Sequence, residues 1–90
     1  MEPLYYCLHL IEQTGRHYVF NLDVEPVTMF VNEEKFVWTG QDNNLQDKFV
    51  EVYKKLLVEK QALCVITPGN CVMLSSDQLI GLQLRYEPGY

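Results

Sequence analysis

The sequence predicts an α+β domain: a mostly antiparallel sheet of about seven strands in the order ββββαβββ, strongly curled or a half-barrel, with one amphipathic helix packed on one face. Three observations predict it. Apolar residues alternate with a period of two through the first forty residues and again after residue 61, the pattern of half-buried strands. One stretch, residues 43–60, switches to helical spacing. Every connection is short enough to join antiparallel neighbours.

On the first strand Leu4, Tyr6, Leu8 and Leu10 share a face, and on the second Tyr18, Phe20, Leu22 and Val24 do. Gln13-Thr14-Gly15 lies between them. A three-residue loop ending in a left-handed Gly sets Glu12 opposite Arg16. Leu10 then faces Tyr18, Leu8 faces Phe20, Tyr6 faces Leu22 and Leu4 faces Val24. A two-residue loop would set Phe20 against His9 and mix the faces.

Glu25-Pro26 interrupts the pattern, because Pro has no N–H for a ladder and restricts the residue before it. Val27–Val31 and Phe36–Thr39 flank Asn32-Glu33-Glu34-Lys35, which reads as a four-residue hairpin loop around a type I turn. That loop pairs Val31 with Phe36 and Met29 with Trp38, leaving Phe30 and Val37 on the other face. Thr39 to Asn44 is turn and cap chemistry, after which Leu45, Phe49, Val52, Tyr53 and Leu56 recur at helical spacing. Glu51 and Lys55 form an i, i+4 pair on the polar side.

Ala62–Thr67 and Asn70–Leu74 flank Pro68-Gly69, residues suited to the centre of a type II turn. Both strands are apolar on both faces. Cys64, Ile66, Cys71 and Met73 fall on one side and Leu63, Val65, Val72 and Leu74 on the other. After a Ser75–Gln78 turn, Ile80, Leu82, Leu84 and Tyr86 alternate with Gly81, Gln83, Arg85 and Glu87 in a last strand.

No repeat, low-complexity tract or linker divides the 90 residues, so residues 1–90 read as a single domain. At this length only roughly 60–65% of the unfolded surface is buried on folding. A helix of about 18 residues spans roughly 27 Å and covers one sheet face. The strands nevertheless carry bulky groups on two. The second apolar face therefore requires either a curled sheet acting as its own second layer or contact with another chain. A homodimer leads among such contacts, since closed two-fold pairs dominate soluble oligomers.

Charge narrows the function classes. Lys and Arg total 7 against 12 Asp and Glu, a net charge of −5. That balance leaves no broad basic surface, so no direct nucleic-acid partner is expected. No apolar run approaches the roughly 18 residues that cross a bilayer, and the first residues lack the positive charge that opens a secretory signal. A cytoplasmic location with no membrane partner is the expectation. Three cysteines, Cys7, Cys64 and Cys71, are an odd number with no C-x-x-C pair, which reads as reduced thiols rather than a disulfide framework.

Cys7 and His9 share a strand face, and the chosen register places His17 diagonal to His9. Three such groups could hold zinc or copper, but their spacing matches no closed metal motif, and a half-exposed surface is the preferred reading. Cys64 and Cys71 fall diagonal to one another, about 7 Å or more apart and too far for an unstrained disulfide. No nucleophile elbow, glycine-rich phosphate loop or placed acid/base pair occurs. No enzyme activity and no cofactor are expected.

The remaining signal is surplus apolar surface. The expectation is a small non-enzymatic protein-binding or accessory module acting through an apolar strand face, with Phe30, Val37, Trp38, Tyr5 and Met73 as interface candidates. One alternative is an acidic inhibitor that occupies a basic nucleic-acid-binding surface of another protein, with Glu25, Glu33, Glu34, Asp42 and Asp47 on one face. A second is a small metal- or ligand-binding enzyme centred on Cys7, His9 and His17.

Overall fold

Seven antiparallel strands and one helix follow one another in the expected order across residues 3–75 and 77–88, which the computed structural model describes. They are β1 (Leu4–Glu12), β2 (His17–Asn21), β3 (Val27–Val31), β4 (Glu34–Trp38), α1 (Leu45–Tyr53, continued by a π-helical turn Lys54–Val58), β5 (Leu63–Thr67), β6 (Asn70–Leu74) and β7 (Leu79–Pro88). The strands divide into two sheets, β2-β1-β7 and β4-β3-β5-β6, that do not close into a barrel. The division falls at Asp23–Pro26. There the N–H groups of Val24 and Glu25 both turn back to the Asn21 carbonyl, each at 3.2 Å, and Pro26 has no donor with which to continue a ladder.

The first hairpin has the expected register: Leu8 pairs with Phe20 and Leu10 with Tyr18. Gly15 takes φ 93° and its N–H donates to the Glu12 carbonyl at 2.8 Å, while Glu12 N–H donates to the Arg16 carbonyl at 2.8 Å. Only glycine takes such a φ without steric penalty. The ladder ends earlier than the alternation implies. Leu22 N–H still donates to the Tyr6 carbonyl at 2.9 Å, but the Tyr6 N–H is taken by Asp23 Oδ2 at 3.0 Å. Val24 is left exposed instead of facing Leu4.

The β3–β4 hairpin departs from expectation. Its loop has two residues, not four: Val31 pairs with Glu34, Met29 with Phe36 and Val27 with Trp38. Asn32 makes the tighter turn possible by taking φ 55°, a left-handed conformation that Asn tolerates better than most residues. Shifting the pairing by two residues keeps every side chain on its face. Met29, Val31, Phe36 and Trp38 therefore still point inward together. In the β5–β6 hairpin Ile66 pairs with Cys71 as expected, but Gly69 lacks the positive φ of a type II turn.

The helix begins at Leu45, two residues inside the expected start. The N–H of Asn44 is held by Asp42 Oδ1 at 2.8 Å, and the Asn44 carbonyl accepts from Lys48 N–H at 2.9 Å. The last turn widens: Glu59 N–H reaches back five residues to the Lys54 carbonyl at 2.9 Å, and Lys60 at φ 58° ends it. Lys55 lies 3.9 Å from Glu34 on β4 rather than pairing along the helix with Glu51. One continuous core joins both sheets and the helix, with Leu8 and Leu10 from β1, Met29 from β3, Trp38 from β4, Val52 and Leu56 from the helical segment and Val65 from β5.

Candidate functional site

Strand pairing assembles the outward-facing residues of the second sheet into two rows. Thr28 pairs with Val37 and with Ile66, and Ile66 pairs with Cys71; Phe30 pairs with Lys35 and with Cys64, and Cys64 pairs with Met73. The rows thus read Val37, Thr28, Ile66, Cys71 and Lys35, Phe30, Cys64, Met73 across four strands. Lys35 is the one charged residue in either row. Met73 is 76% exposed, Val37 42% and Ile66 41%, and Phe30 is half-buried. A groove of about 410 Å³ runs along the end of this face, with Phe30, Ala62, Cys64, Met73 and Ser75 among its walls.

Three of the five interface candidates named from the sequence, Phe30, Val37 and Met73, come together here. Trp38 does not. It is 0% exposed and lies in the core, because it is one residue out of phase with Val37 on β4. Its indole Nε1 is buried without a hydrogen-bond partner among the described residues, and the Lys48 ammonium stands 5.8 Å from the ring centroid. Tyr5 is half-buried on β1, in the other sheet. Ile66 and Cys64 complete the face, but their adjacency to Phe30 depends on β3 pairing with β5 across the helix. Nothing local encodes that step: the alternation of β5 puts Cys64 and Ile66 on one face, but both faces of the strand are apolar.

The outer face of the first sheet carries the polar cluster. His9 is fully buried there, with Nδ1 2.8 Å from His17 Nε2 and Nε2 bonded to Glu87 Oε1. A carboxylate oxygen accepts, so His9 Nε2–H is the donor to Glu87, and the His9–His17 bond takes its direction from the tautomers of the two rings. Arg85 Nη1 stands 3.9 Å from Glu87 Oε2. Glu87 enters through β7, where Tyr5 pairs with Glu87 and His9 with Gln83. The alternation of Gln83, Arg85 and Glu87 signalled a polar face, but not which strand it would lie beside.

The structure brings His9 to His17 and leaves Cys7 with a different role. Cys7 is buried, and that burial, followed by the charges of Glu87 and Asp23, pushes its thiol pKa up. A raised pKa disfavours the thiolate that binds metal or attacks carbon. Among the described residues no three His, Cys, Asp or Glu side chains are placed to hold a metal ion. Cys64 and Cys71 are free thiols, half-buried and exposed. Burial first, then a hydrogen bond with Cys71, raises the Cys64 pKa.

Of the acidic residues considered for a basic partner, Asp42 is paired with Lys48 and Glu34 lies 3.9 Å from Lys55. No helix among the described residues is long and apolar enough to cross a membrane. Comparison with protein-family models, curated proteins and solved structures finds no match to the chain.

Proposed function

We propose that the chain is a non-enzymatic protein-binding or accessory module whose contact surface is the outer face of the β4-β3-β5-β6 sheet. The observation that carries this reading is the two-row apolar face itself. Val37, Thr28, Ile66 and Cys71 lie beside Phe30, Cys64 and Met73, and Val37, Ile66 and Met73 are exposed in the single chain. Contiguous apolar surface of this kind, rimmed by polar groups such as Lys35, is the usual form of a protein contact site. The groove at its end suits an aliphatic or aromatic anchor from the partner.

The acidic-inhibitor reading has less support, because two of its carboxylates are engaged by lysines of the same chain. Affinity capture from native lysate tests the proposal, with wild type compared against Ile66→Lys. A protein held at stoichiometric level by the wild type and lost by the variant is the expected result. Identical captured sets from both chains overturn it.

A further inference from the structure

The second sheet has two edges and the first has two more, and three of the four carry charge in the strand or directly beside it. Natural sheets guard their edges with charge, proline or a bulge against pairing with another chain. β7 carries Arg85, Glu87 and Pro88 and β4 carries Glu34 and Lys35, while β2 is itself uncharged and has its charge in Arg16, directly before His17. β6 has none of these guards. Its sequence, Asn70-Cys71-Val72-Met73-Leu74, is uncharged and free of proline, and its pairing to β5 is regular. The charge-free stretch of sequence is longer still, running from Gln61 to Ser76 in a chain of net charge −5. This edge is therefore where two copies meet least repulsion.

The main chain of β6 is also arranged for a partner. In an antiparallel ladder alternate residues direct N–H and C=O to opposite sides. Thr67 pairs with Asn70 at the hairpin end, so Asn70, Val72 and Leu74 bond inward to β5, and Cys71 and Met73 point off the sheet. On that outward side the Cys71 N–H donates to the Asn70 side-chain Oδ1 at 2.8 Å, a bond that pairing exchanges for one to a carbonyl of the partner strand.

We infer that β6 pairs antiparallel with β6 of a second copy about a two-fold axis at Val72, joining the two four-stranded sheets into one. Centring on Val72 overlaps all five residues of the strand and sets the outward groups of Cys71 opposite those of Met73 in the partner copy. On the outer face, the row ending in Cys71 continues into the partner copy's Met73 row, so the apolar surface becomes continuous across the pair. The contact consumes the uncharged β6 edge of each copy, and it closes instead of propagating into a fibre. The inference rests on the reading of this face as a binding surface and narrows it to one partner, a second copy of the chain, and one strand.

Sedimentation of the whole chain across the micromolar range, with amide exchange at Met73, tests it. The expected results are a species of twice 10.5 kDa, Met73 exchange slowed by about tenfold or more as concentration rises, and a monomer from Met73→Lys. Wild type that stays at 10.5 kDa throughout overturns the pairing. So does a dimer whose Met73 amide exchanges equally fast at all concentrations, since sheets stacked face to face leave that N–H in water. If Met73→Lys fails to fold, exchange in the wild type decides alone. A monomer that still loses a captured protein on Ile66→Lys overturns the pairing and leaves the binding face standing. A β6-paired dimer whose captured set ignores Ile66→Lys supports the pairing and sinks the capture reading.

Discussion

The carboxylate of Asp23 occupies the space that a side chain at Gly40 would need: a Cβ there would fall 1.8 Å from Asp23 Oδ1 and 2.4 Å from its Cγ. Asp23 is held in place by the Tyr6 N–H at 3.0 Å, and Gly40 N–H donates to the Leu22 carbonyl at 2.9 Å. The glycine is required by the close approach and not by its backbone angles. Gly40→Ala is expected to expel the carboxylate and destabilise the chain by about 1–2 kcal/mol, the loss of one hydrogen bond. Asp23→Ala should lose the same bond, so the double variant should be no less stable than Asp23→Ala alone. Urea unfolding of the three variants checks this, and additive losses would refute it.

Trp38 combines complete burial with an indole N–H that has no partner among the described residues. Trp38→Ala should cost about 3–5 kcal/mol by opening a cavity. Trp38→Phe should cost far less, about 1–2 kcal/mol, because it removes an unsatisfied donor along with part of the volume. A loss for Trp38→Phe as large as that for Trp38→Ala in thermal unfolding would contradict this ordering.

The three thiols should react in a fixed order. Cys71 is exposed, Cys64 is half-buried with a pKa raised by burial and by Cys71, and Cys7 is buried with a pKa raised by burial and nearby carboxylates. Alkylation with iodoacetamide near neutral pH, followed by peptide mass spectrometry, should modify Cys71 first and Cys64 slowly, and Cys7 only in denaturant. Early labelling of Cys7 would contradict its burial on β1.

Asp42 links stability to acid. Its hydrogen bond from the Lys48 ammonium, followed by that from Asn44 N–H, holds the carboxyl below the ordinary carboxylate range. The folded pKa is thus lower than the unfolded value of about 4. The stabilisation is fully present above that value and is lost as pH falls through the folded pKa. Asp42→Asn should be less stable than wild type at neutral pH, with the difference vanishing at the acid end and shrinking in salt. A difference that persists unchanged into acid would assign the effect to something other than ionisation.

Much of the local structure was legible because short-range chemistry decides it. Gly15 dictated the first hairpin's register, and the alternation of β3 to β6 put Phe30 with Val37, and Cys64 and Ile66 with Cys71 and Met73, on common faces without saying which face points outward. The β3–β4 loop was misjudged by two residues because Asn32 can take a left-handed φ, which composition does not distinguish from a wider turn. The first strand pair ended early because the Asp23 carboxylate replaced a backbone acceptor, a side-chain choice invisible to periodicity.

Which strands lie beside one another, by contrast, was settled only by folding. The period of two tells each residue which side of its own strand it occupies, since successive Cβ atoms alternate. It says nothing of which distant strand comes alongside. That was decided by β7 returning to β1 and by β3 meeting β5 across the helix. Those two long-range pairings place Glu87 against His9 and build one apolar face from four separate strands, because hydrogen-bonding edges and buried surface are satisfied jointly by the whole chain and by no segment alone.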